Sequence, residues 1–422
     1  MPPSRRRPRV APAWRGPFRH RNYRLFWFGQ LVSLAGTWMQ SIAQAWYITE
    51  LTHEPAWLGI IAAAQFTPVM FLGLFGGVLA DALPKHRALM GTQISLMALA
   101  ILQAALVATG LMTLPLLILM AVLLGIVNAI DMPVRQSFFS EMVPEEEVGR
   151  AVAMNSAMFN SARVIGPAIG GVLIGVIGVA GCFAVNGASF LAVLLALIFM
   201  RADELRPAPR APRPHTVADV LVSLAEGVRF VARTPLIALC VFVIGVVSGV
   251  AMNFNVIIPT LARSVLQVGA PGLGLLMAAI GLGSLSGALA VAMLRRPRTV
   301  VIIGGAAALG ILSIAAGFTS GSGAAWAAVA TGVALFGAGF GAIAMAATAN
   351  ASIQTSTPPA LRGRVMSVYT TVFAGSTPIG GLGTGAVVSL IGAPGALIVA
   401  GALALMATAY AAARWREILS LR

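Results

Sequence analysis

Long apolar runs separated by short polar breaks dominate this sequence and restrict what it can fold into. Each run holds roughly 20 residues, enough for a helix to cross about 30 Å of hydrocarbon. Because lipid offers no partner for an unpaired backbone N–H or C=O, such runs must be helical. Of the 422 residues, 58% are hydrophobic and 10% charged, whereas a soluble domain carries about a quarter charged residues. The sequence therefore predicts an all-α membrane protein.

Twelve transmembrane helices are predicted, six on each side of a polar break. The first six lie near residues 25–48, 57–79, 88–111, 114–134, 151–174 and 179–200. The second six lie near residues 236–256, 272–294, 300–319, 324–352, 365–391 and 393–412. This pattern divides the chain into a basic tail (1–24), a first six-helix bundle (25–200), a linker (201–235), a second bundle (236–413) and a short tail (414–422).

The basic residues predict the orientation. The net charge is +15, and Lys85 is the only lysine. Arginines crowd the first 24 residues, and further basic residues follow the even-numbered spans. Because Lys and Arg accumulate in cytoplasmic loops, we expect a multi-pass plasma-membrane protein with both termini in the cytoplasm. The basic tail is expected to contact anionic lipid headgroups rather than nucleic acid.

The linker has two parts. Its proline- and arginine-rich start is typical of a connecting segment. Its end predicts an amphipathic helix on the membrane surface, with apolar Val217, Leu221, Leu224 and Val228 opposite Asp219, Glu226 and Arg229. The alternative is an ordinary disordered linker.

An internal repeat relates the two halves. "GVLADALPKHR", residues 77–87, aligns with "GALAVAMLRRPR", residues 287–298. A second correspondence pairs Pro144, Gly149, Arg150, Ile165 and Gly166 with Pro358, Gly363, Arg364, Ile379 and Gly380. Two matches in the same order predict a duplicated six-helix unit, arranged as two pseudo-symmetric bundles with a binding site between them.

These motifs resemble the major facilitator superfamily over nearly the whole chain. "GVLADALPKHR" is similar to that superfamily's loop motif between the second and third helices, although Ala82, Pro84 and His86 depart from it. "ARVIGPAIGG", residues 162–171, is similar to the fifth-helix motif of its antiporters, with Ala162 in place of a glycine. Residues 18–40 resemble the branch of enterobactin-type siderophore exporters and macrolide efflux proteins.

The resemblance implies efflux of a drug or siderophore by proton-coupled alternating access, and we expect a monomer. Uptake or uncoupled facilitation of a small metabolite is the alternative, and a receptor or scaffold without transport is a remote one. The four histidines are scattered, so the chain is not expected to be an enzyme, and neither a metal nor a cofactor is expected. There is no GxxxxGK[ST] motif for a nucleotide.

The loop motif suggests a conformational latch. Asp81 ends the second span, and a carboxylate is favoured at a helix N-terminus, such as the one predicted near residues 362–367. We therefore expect a latch that holds the halves together in the outward-facing state, formed by Gly77, Asp81, Lys85, Arg87, Gly363 and Arg364. The alternative is that Asp81 only caps its loop.

The fifth-span motif suggests a packing hinge. Gly166 and Gly170 form a GxxxG pair that lets helices approach closely, and Pro167 removes a backbone hydrogen bond. Gly171 extends the motif. A generic interface of small residues is the alternative.

Several polar residues within the spans are candidates for a substrate cavity. Arg163 is predicted near the membrane midplane, where a cation faces a cavity or a partner. Either it binds an anionic substrate group or it holds a structural network. The other candidates are Gln30, Thr37, Gln40 and Gln44 on one face of the first span, Asn160 beside Arg163, and Asn253 and Asn255 before Pro259.

Asp131 and Arg135 lie one turn apart in the fourth span, which we predict to be near its cytoplasmic end. An i, i+4 ion pair is one interpretation, and a charge relay with Arg87 is the other. Every Asp and Glu is predicted at a helix end or in a loop, so the sequence does not identify the proton carrier.

Overall fold

A computed structural model describes residues 16–52, 54–82, 84–206, 217–294 and 298–420. Within these ranges, the side chains of residues 73–82, 217–223, 359–360, 374 and 416–420 lie outside the description. The basic tail before residue 16 and linker residues 207–216 also fall outside it. The described part of the chain is helical and contains no strand.

Twelve α-helices form the fold. The first half contains α1 (Arg21–Leu51), α2 (Ala56–Ala82), α3 (Lys85–Ala108), α4 (Leu114–Glu141) and α5 (Glu145–Ile198). Then follow α6 (Val217–Arg233), α7 (Pro235–Ala251), α8 (Phe254–Thr260), α9 (Gly269–Ala292), α10 (Thr299–Ser320), α11 (Ala327–Ser356) and α12 (Pro359–Ser420). A π-helical turn, Leu261–Val265, follows α8.

Two of these helices are too long for one crossing. The 54 residues of α5 would extend about 80 Å if straight, well beyond the membrane core. Gly178 interrupts α5 with a φ of 71°, a left-handed conformation that glycine adopts without a Cβ clash. The first turn of α1 contacts both ends of α5: Tyr23 donates to the Ala151 carbonyl and Asn22 to the Arg201 carbonyl. The helix therefore folds back on itself.

The same turn occurs in the second half. Gly392 interrupts the 62 residues of α12 with a φ of 75°, and it lies 214 residues after Gly178. That offset also relates Pro144 to Pro358 and Gly166 to Gly380. The backbone thus repeats the correspondence seen in the sequence, as expected for a parallel duplication.

The twelve predicted spans are confirmed. Eight helical stretches in the described residues are long and apolar enough to cross a membrane, among them α5, α12 and the continuous segment Pro235–Val265. Since α5 and α12 each cross twice, these stretches supply ten spans. The polar-striped α1 and α2, with its shorter apolar run Ala56–Leu72, supply the other two.

The fold has two ends, which we name after residues. At the Glu50 end lie the α1–α2 connection and the turns at Gly178 and Gly392. At the Lys85 end lie the α2–α3 connection, α6 and the first turn of α12.

Candidate functional site

A central cavity of about 260 Å³ lies between the two halves. Most of its wall comes from α1, α2 and α4, while Phe159 of α5 and Asn255 of α8 complete it. Thr37 and Gln44, two of the predicted substrate residues, line it together with Gln65, Asn128 and Arg135. Apolar residues form the remainder, including Trp38, Phe66 and Met132.

A second cavity, which we call the Asp131 pocket, measures about 100 Å³ and lies inside the first half. Asp131 is 1% exposed. Its Oδ1 accepts hydrogen bonds from Thr92 Oγ1 at 2.7 Å and Gln93 Nε2 at 2.8 Å. Its Oδ2 lies 3.5 Å from Arg135 Nε, so the i, i+4 pair is present.

The position predicted for Asp131 is wrong. We expected every acid at a helix end or in a loop, but α4 continues ten residues beyond Asp131 to Glu141, about 15 Å of helix. The polar run from Arg135 onward does not end the helix, and within it Arg135 and Ser137 are half-buried while Gln136 is exposed. The structure does not bring Arg87 to Asp131, since the Arg87 side chain is exposed.

A chain of buried amides supports the Asp131 pocket from the Glu50 side. Gln40 Nε2 donates to Gln103 Oε1 at 2.5 Å, and Asn186 Nδ2 donates to Gln40 Oε1 at 2.5 Å. Gln30 Oε1, on α1, accepts a hydrogen bond from the Arg135 guanidinium at 3.3 Å. Gln30 and Gln40 therefore join helices inside the first half, and Gln40 also lines the Asp131 pocket.

Sequence reasoning missed Thr92, Gln93, Gln103 and Asn186. The available signal was the same one that singled out α1: amides and hydroxyls within apolar spans. It was not decisive, because the neighbours of a given helix face depend on how the helices pack.

A third cavity, the Arg163 recess, measures about 30 Å³ and lies where the halves meet. Arg163 and Pro167 of α5 face Asn255 and the α7–α8 junction across it, and Trp38 closes the side toward α1. The Arg163 guanidinium carbon lies 5.6 Å from the centre of the Trp38 ring. Trp38 and Asn255 line both the recess and the central cavity.

The helix break predicted around Asn253 and Asn255 is present. Helical geometry stops at Ala251 and resumes at Phe254. Asn253 Nδ2 donates to the Gly249 carbonyl at 2.6 Å, so Asn253 stabilises the break, whereas Asn255 faces the cavities. Asn160 donates to the Ser156 carbonyl at 2.8 Å and is not among the residues lining the three cavities described above.

The fifth-span glycines lie at close helix contacts. A Cβ on Gly166 would fall 2.5 Å from Trp38 Cβ, and one on Gly170 would fall 3.1 Å from Met39 Cγ, both on α1. Gly171 faces the other half: a Cβ there would fall 2.7 Å from the Ala270 carbonyl oxygen of α9. The motif thus packs α5 against α1 and against α9 at once.

Polar contacts close the Glu50 end between the halves. The Arg263 guanidinium, in the π-helical turn, lies 3.7 Å from Glu50 Oε1 and 5.3 Å from the centre of the Trp46 ring. The amide of Ala56 donates to Ser389 Oγ at 3.1 Å.

At the Lys85 end the described ion pairs stay within one half. Lys85 Nζ lies 2.7 Å from Glu141 Oε1, and Arg364 pairs with Glu226 of α6. A Cβ on Gly363 would meet nothing within 4 Å. Gly77 and Asp81 fall in the part of α2 whose side chains lie outside the description, so the latch stays a prediction.

The helix expected in the linker is present as α6, and its apolar face on the membrane surface stays a prediction. Leu224 packs against the second half, but Val228 is 50% exposed, and the buried neighbours are Gly227 and Val231. A Cβ on Gly227 would fall 2.6 Å from the Arg364 carbonyl oxygen. Gly227 therefore faces α12, because a residue without a Cβ permits this close contact. Val217 and Leu221 lie outside the described side chains.

The largest described cavity, about 730 Å³, lies elsewhere, between α7 and both parts of α12. Its polar groups are the hydroxyls of Thr371, Ser376 and Thr384, and it contains no charged residue. The central cavity, the Asp131 pocket and the Arg163 recess are smaller, but charged side chains line them: Asp131, Arg135 and Arg163.

Comparison with known proteins places the chain in a family. A major facilitator family model described as a transmembrane secretion effector matches residues 12–418. The enterobactin exporter EntS of Shigella boydii is 28% identical over 380 residues, 86% of each chain. The multidrug efflux pump Tap of Mycolicibacterium fortuitum is 26% identical over 366 residues, 84% of this chain and 86% of Tap.

Among solved structures, a bacterial homolog of the human lysosomal transporter Spinster, in an inward-facing and unoccupied conformation, has a TM-score of 0.73 at 15% identity. The match covers 96% of this chain and 98% of that one. At this identity the likeness supports the fold, which is the major facilitator fold of two six-helix bundles.

Proposed function

Since this chain belongs to the transmembrane secretion effector family of major facilitator transporters, we propose that it exports a small organic molecule, a drug or a siderophore, in exchange for protons. Its family and structural neighbours are membrane transporters of small molecules, not enzymes. EntS is an enterobactin exporter and Tap a multidrug efflux pump, which supports export as the direction.

The observation that carries the proposal is the position of Arg135. Its side chain lines both the Asp131 pocket and the central cavity. On one side it pairs with the Asp131 carboxylate, and on the other it faces the space where cargo would bind. A change in the charge of Asp131 therefore reaches the cargo site through one side chain.

The exchange follows from this geometry. While Asp131 is ionised, Arg135 is held beside it by charge attraction, and the cavity is ready for cargo. When a proton binds Asp131, the pair loses its attraction, and Arg135 moves toward the central cavity and displaces the cargo. Thr92 and Gln93 keep the acid in place in both states, because their hydrogen bonds do not depend on Arg135.

The structure corresponds to one state of an alternating-access cycle. Basic residues accumulate at the Lys85 end, so we assign this end and both termini to the cytoplasm. The contacts of Arg263, Ser389 and Gly171 close the opposite end, which leaves cargo to enter from the cytoplasm.

The latch belongs to the opposite state. When the Lys85 end closes, Asp81 approaches the N-terminus of α12, where unpaired backbone N–H groups favour an anion. Arg364 then exchanges its present partner Glu226 for Asp81, and Lys85 and Arg87 flank this contact beside Gly77 and Gly363. The hinge motif of Gly166, Pro167, Gly170 and Gly171 carries the motion between these states. One chain supplies all three cavities, so we assign activity to the monomer in its lipid bilayer.

The test is transport in inverted membrane vesicles against a panel of siderophores and lipophilic drugs. We expect accumulation of a panel member that depends on an inside-acid pH gradient and stops when an ionophore collapses it. Accumulation without a gradient would indicate a facilitator, and gradient-dependent loss from loaded vesicles would indicate uptake. Either result contradicts the proposal.

A further inference from the structure

The Arg163 recess contains a cation whose partner is not supplied by the described residues around it. The guanidinium stacks on Trp38 at 5.6 Å. The other residues that line the recess are Pro167, Met252, Phe254, Asn255, Met277 and Ile280. None of these is acidic, and Asn255 is the only one with a polar side chain.

The nearby carboxylates are already engaged. Asp131 pairs with Arg135 and accepts two hydrogen bonds, and Glu50 lies at the Glu50 end beside Arg263. A cation within a membrane helix is costly and is usually paired with another polar or charged group. Stacking on the Trp38 ring stabilises the guanidinium but provides no hydrogen-bond acceptor for its N–H groups. A structural role would supply an acceptor, so the geometry favours a partner that arrives from outside the chain.

The recess and the central cavity together define the shape of that partner. The recess is small, about 30 Å³, so it suits a compact head such as a carboxylate or a sulfonate and not the body of a larger organic molecule. Trp38 and Asn255 connect the recess to the 260 Å³ central cavity, where Phe66, Met132 and Phe159 offer apolar surface. The two volumes therefore accommodate an anionic head and an aromatic or aliphatic body.

We propose that the Arg163 recess binds the anionic group of the exported molecule, so that the cargo is an amphipathic organic anion and not a lipophilic cation. That the bound molecule is exported rests on the proposed function, but the binding of an anion at Arg163 does not. Arg163 acts as a fixed head-group ligand, while Arg135 responds to the proton.

The experiment measures binding, which needs neither a gradient nor the natural cargo. Tritiated 2-naphthoate, 2-naphthamide and 2-naphthylmethylammonium share one apolar body and differ in charge. Their equilibrium binding to the full-length protein in lipid nanodiscs is measured against empty nanodiscs. We expect the naphthoate to bind at least about tenfold more tightly than the other two, since a hydrogen bond to a charged group contributes about 1.5–3 kcal/mol.

Three variants separate the site from the fold. Arg163→Gln should abolish the preference for the anion, and Arg163→Lys should keep it because the charge remains. Arg229→Gln, on an exposed position of α6, removes an equal charge outside the cavities and should change nothing. If Arg163→Gln does not fold, Arg163→Met takes its place, and equal binding of the three probes to the unmodified protein overturns the site in either case.

The outcomes distinguish the two proposals. Equal binding of the three probes, or tighter binding of the ammonium, overturns the anion site. An anion preference that Arg163→Gln leaves intact also overturns it. Anion-selective binding combined with no gradient-driven transport of any tested cargo supports the site but contradicts the export proposal.

Discussion

The two halves share a backbone plan but differ in what they bury. Among the described residues, the buried amide and charged side chains lie in the first half, apart from Asn253. They include Gln40, Gln93, Gln103, Asp131 and Asn186. The other buried polar side chains of the second half are serines and threonines, and several of these bond to the backbone of their own helix, as Ser352 does to Thr348.

The contrast is sharpest at the repeat-related positions of α4 and α11. The 214-residue offset places Met345 opposite Asp131 and Ala349 opposite Arg135, and both are fully buried. Glycines pack the second half tightly: a Cβ on Gly305 would fall 2.7 Å from the Gly341 carbonyl oxygen. Both halves therefore keep the same helical scaffold. We infer that the side chains that bind the proton and the charged group of the cargo lie in the first half.

The largest effect is expected at Asp131, which has no acidic counterpart at the repeat-related position of the second half. Asp131→Asn keeps the shape and one acceptor but cannot exchange a proton, so the gradient-driven component of transport in inverted vesicles should be lost. The matched change in the other half, Met345→Leu, conserves volume and should leave transport within a few-fold of the unmodified protein. If both variants lose transport to the same extent, the contrast between the halves is broken.

The second prediction concerns the contact between the halves. Overpacking costs about 1–3 kcal/mol, so Gly171→Val should force α5 from α9 and open the Glu50 end about tenfold more often. The measurement is labelling of an Ile48→Cys reporter, since Ile48 is 2% exposed, by an impermeant maleimide added from the Glu50 side. Gly175→Val is the control, because a Cβ on Gly175 meets nothing within 4 Å. Equal labelling rates in Gly171→Val and Gly175→Val would show that the contact of Gly171 with α9 does not hold the Glu50 end closed.

The third prediction compares buried polar groups. Gln40→Leu removes the partner of Gln103 Oε1 and the partner of Asn186 Nδ2, which should lower the free energy of unfolding by about 1–3 kcal/mol. In the second half, Ser313 Oγ is buried without a hydrogen-bond partner, so Ser313→Ala should be neutral or stabilising. Thermal unfolding of both purified variants checks this, and a larger loss for Ser313→Ala would contradict it.

The smallest effect is expected at the Glu50 end. The Glu50 and Arg263 side chains are 43% and 35% exposed, and an exposed ion pair contributes about 0.2–1 kcal/mol. Glu50→Gln should therefore raise labelling of the Ile48→Cys reporter by less than about fivefold. The charge exchange Glu50→Arg with Arg263→Glu should restore the original rate. If Glu50→Gln were labelled as fast as Gly171→Val, the Glu50–Arg263 ion pair and not helix packing would hold the Glu50 end closed.

The sequence predicted the scaffold better than the chemistry. Apolar run lengths were enough for the twelve spans, and matches such as Pro144 with Pro358 and Gly166 with Gly380 were enough for the repeat. Asp131 was placed near a helix end because polar residues follow it, and only the structure shows that α4 continues through them to Glu141. The partners of Gln40 and Asp131 on α3 and α5 also depend on which helix faces meet, and one sequence does not contain that information.

The central claim is that Asp131 exchanges the transported proton. Infrared difference spectra of the reconstituted protein between acidic and alkaline buffer test it most directly, because they detect a protonated carboxyl group without any cargo. The account predicts a carboxyl band that disappears in Asp131→Asn and persists in Asp81→Asn. A titrating band that survives in Asp131→Asn and is lost in Asp81→Asn would contradict it.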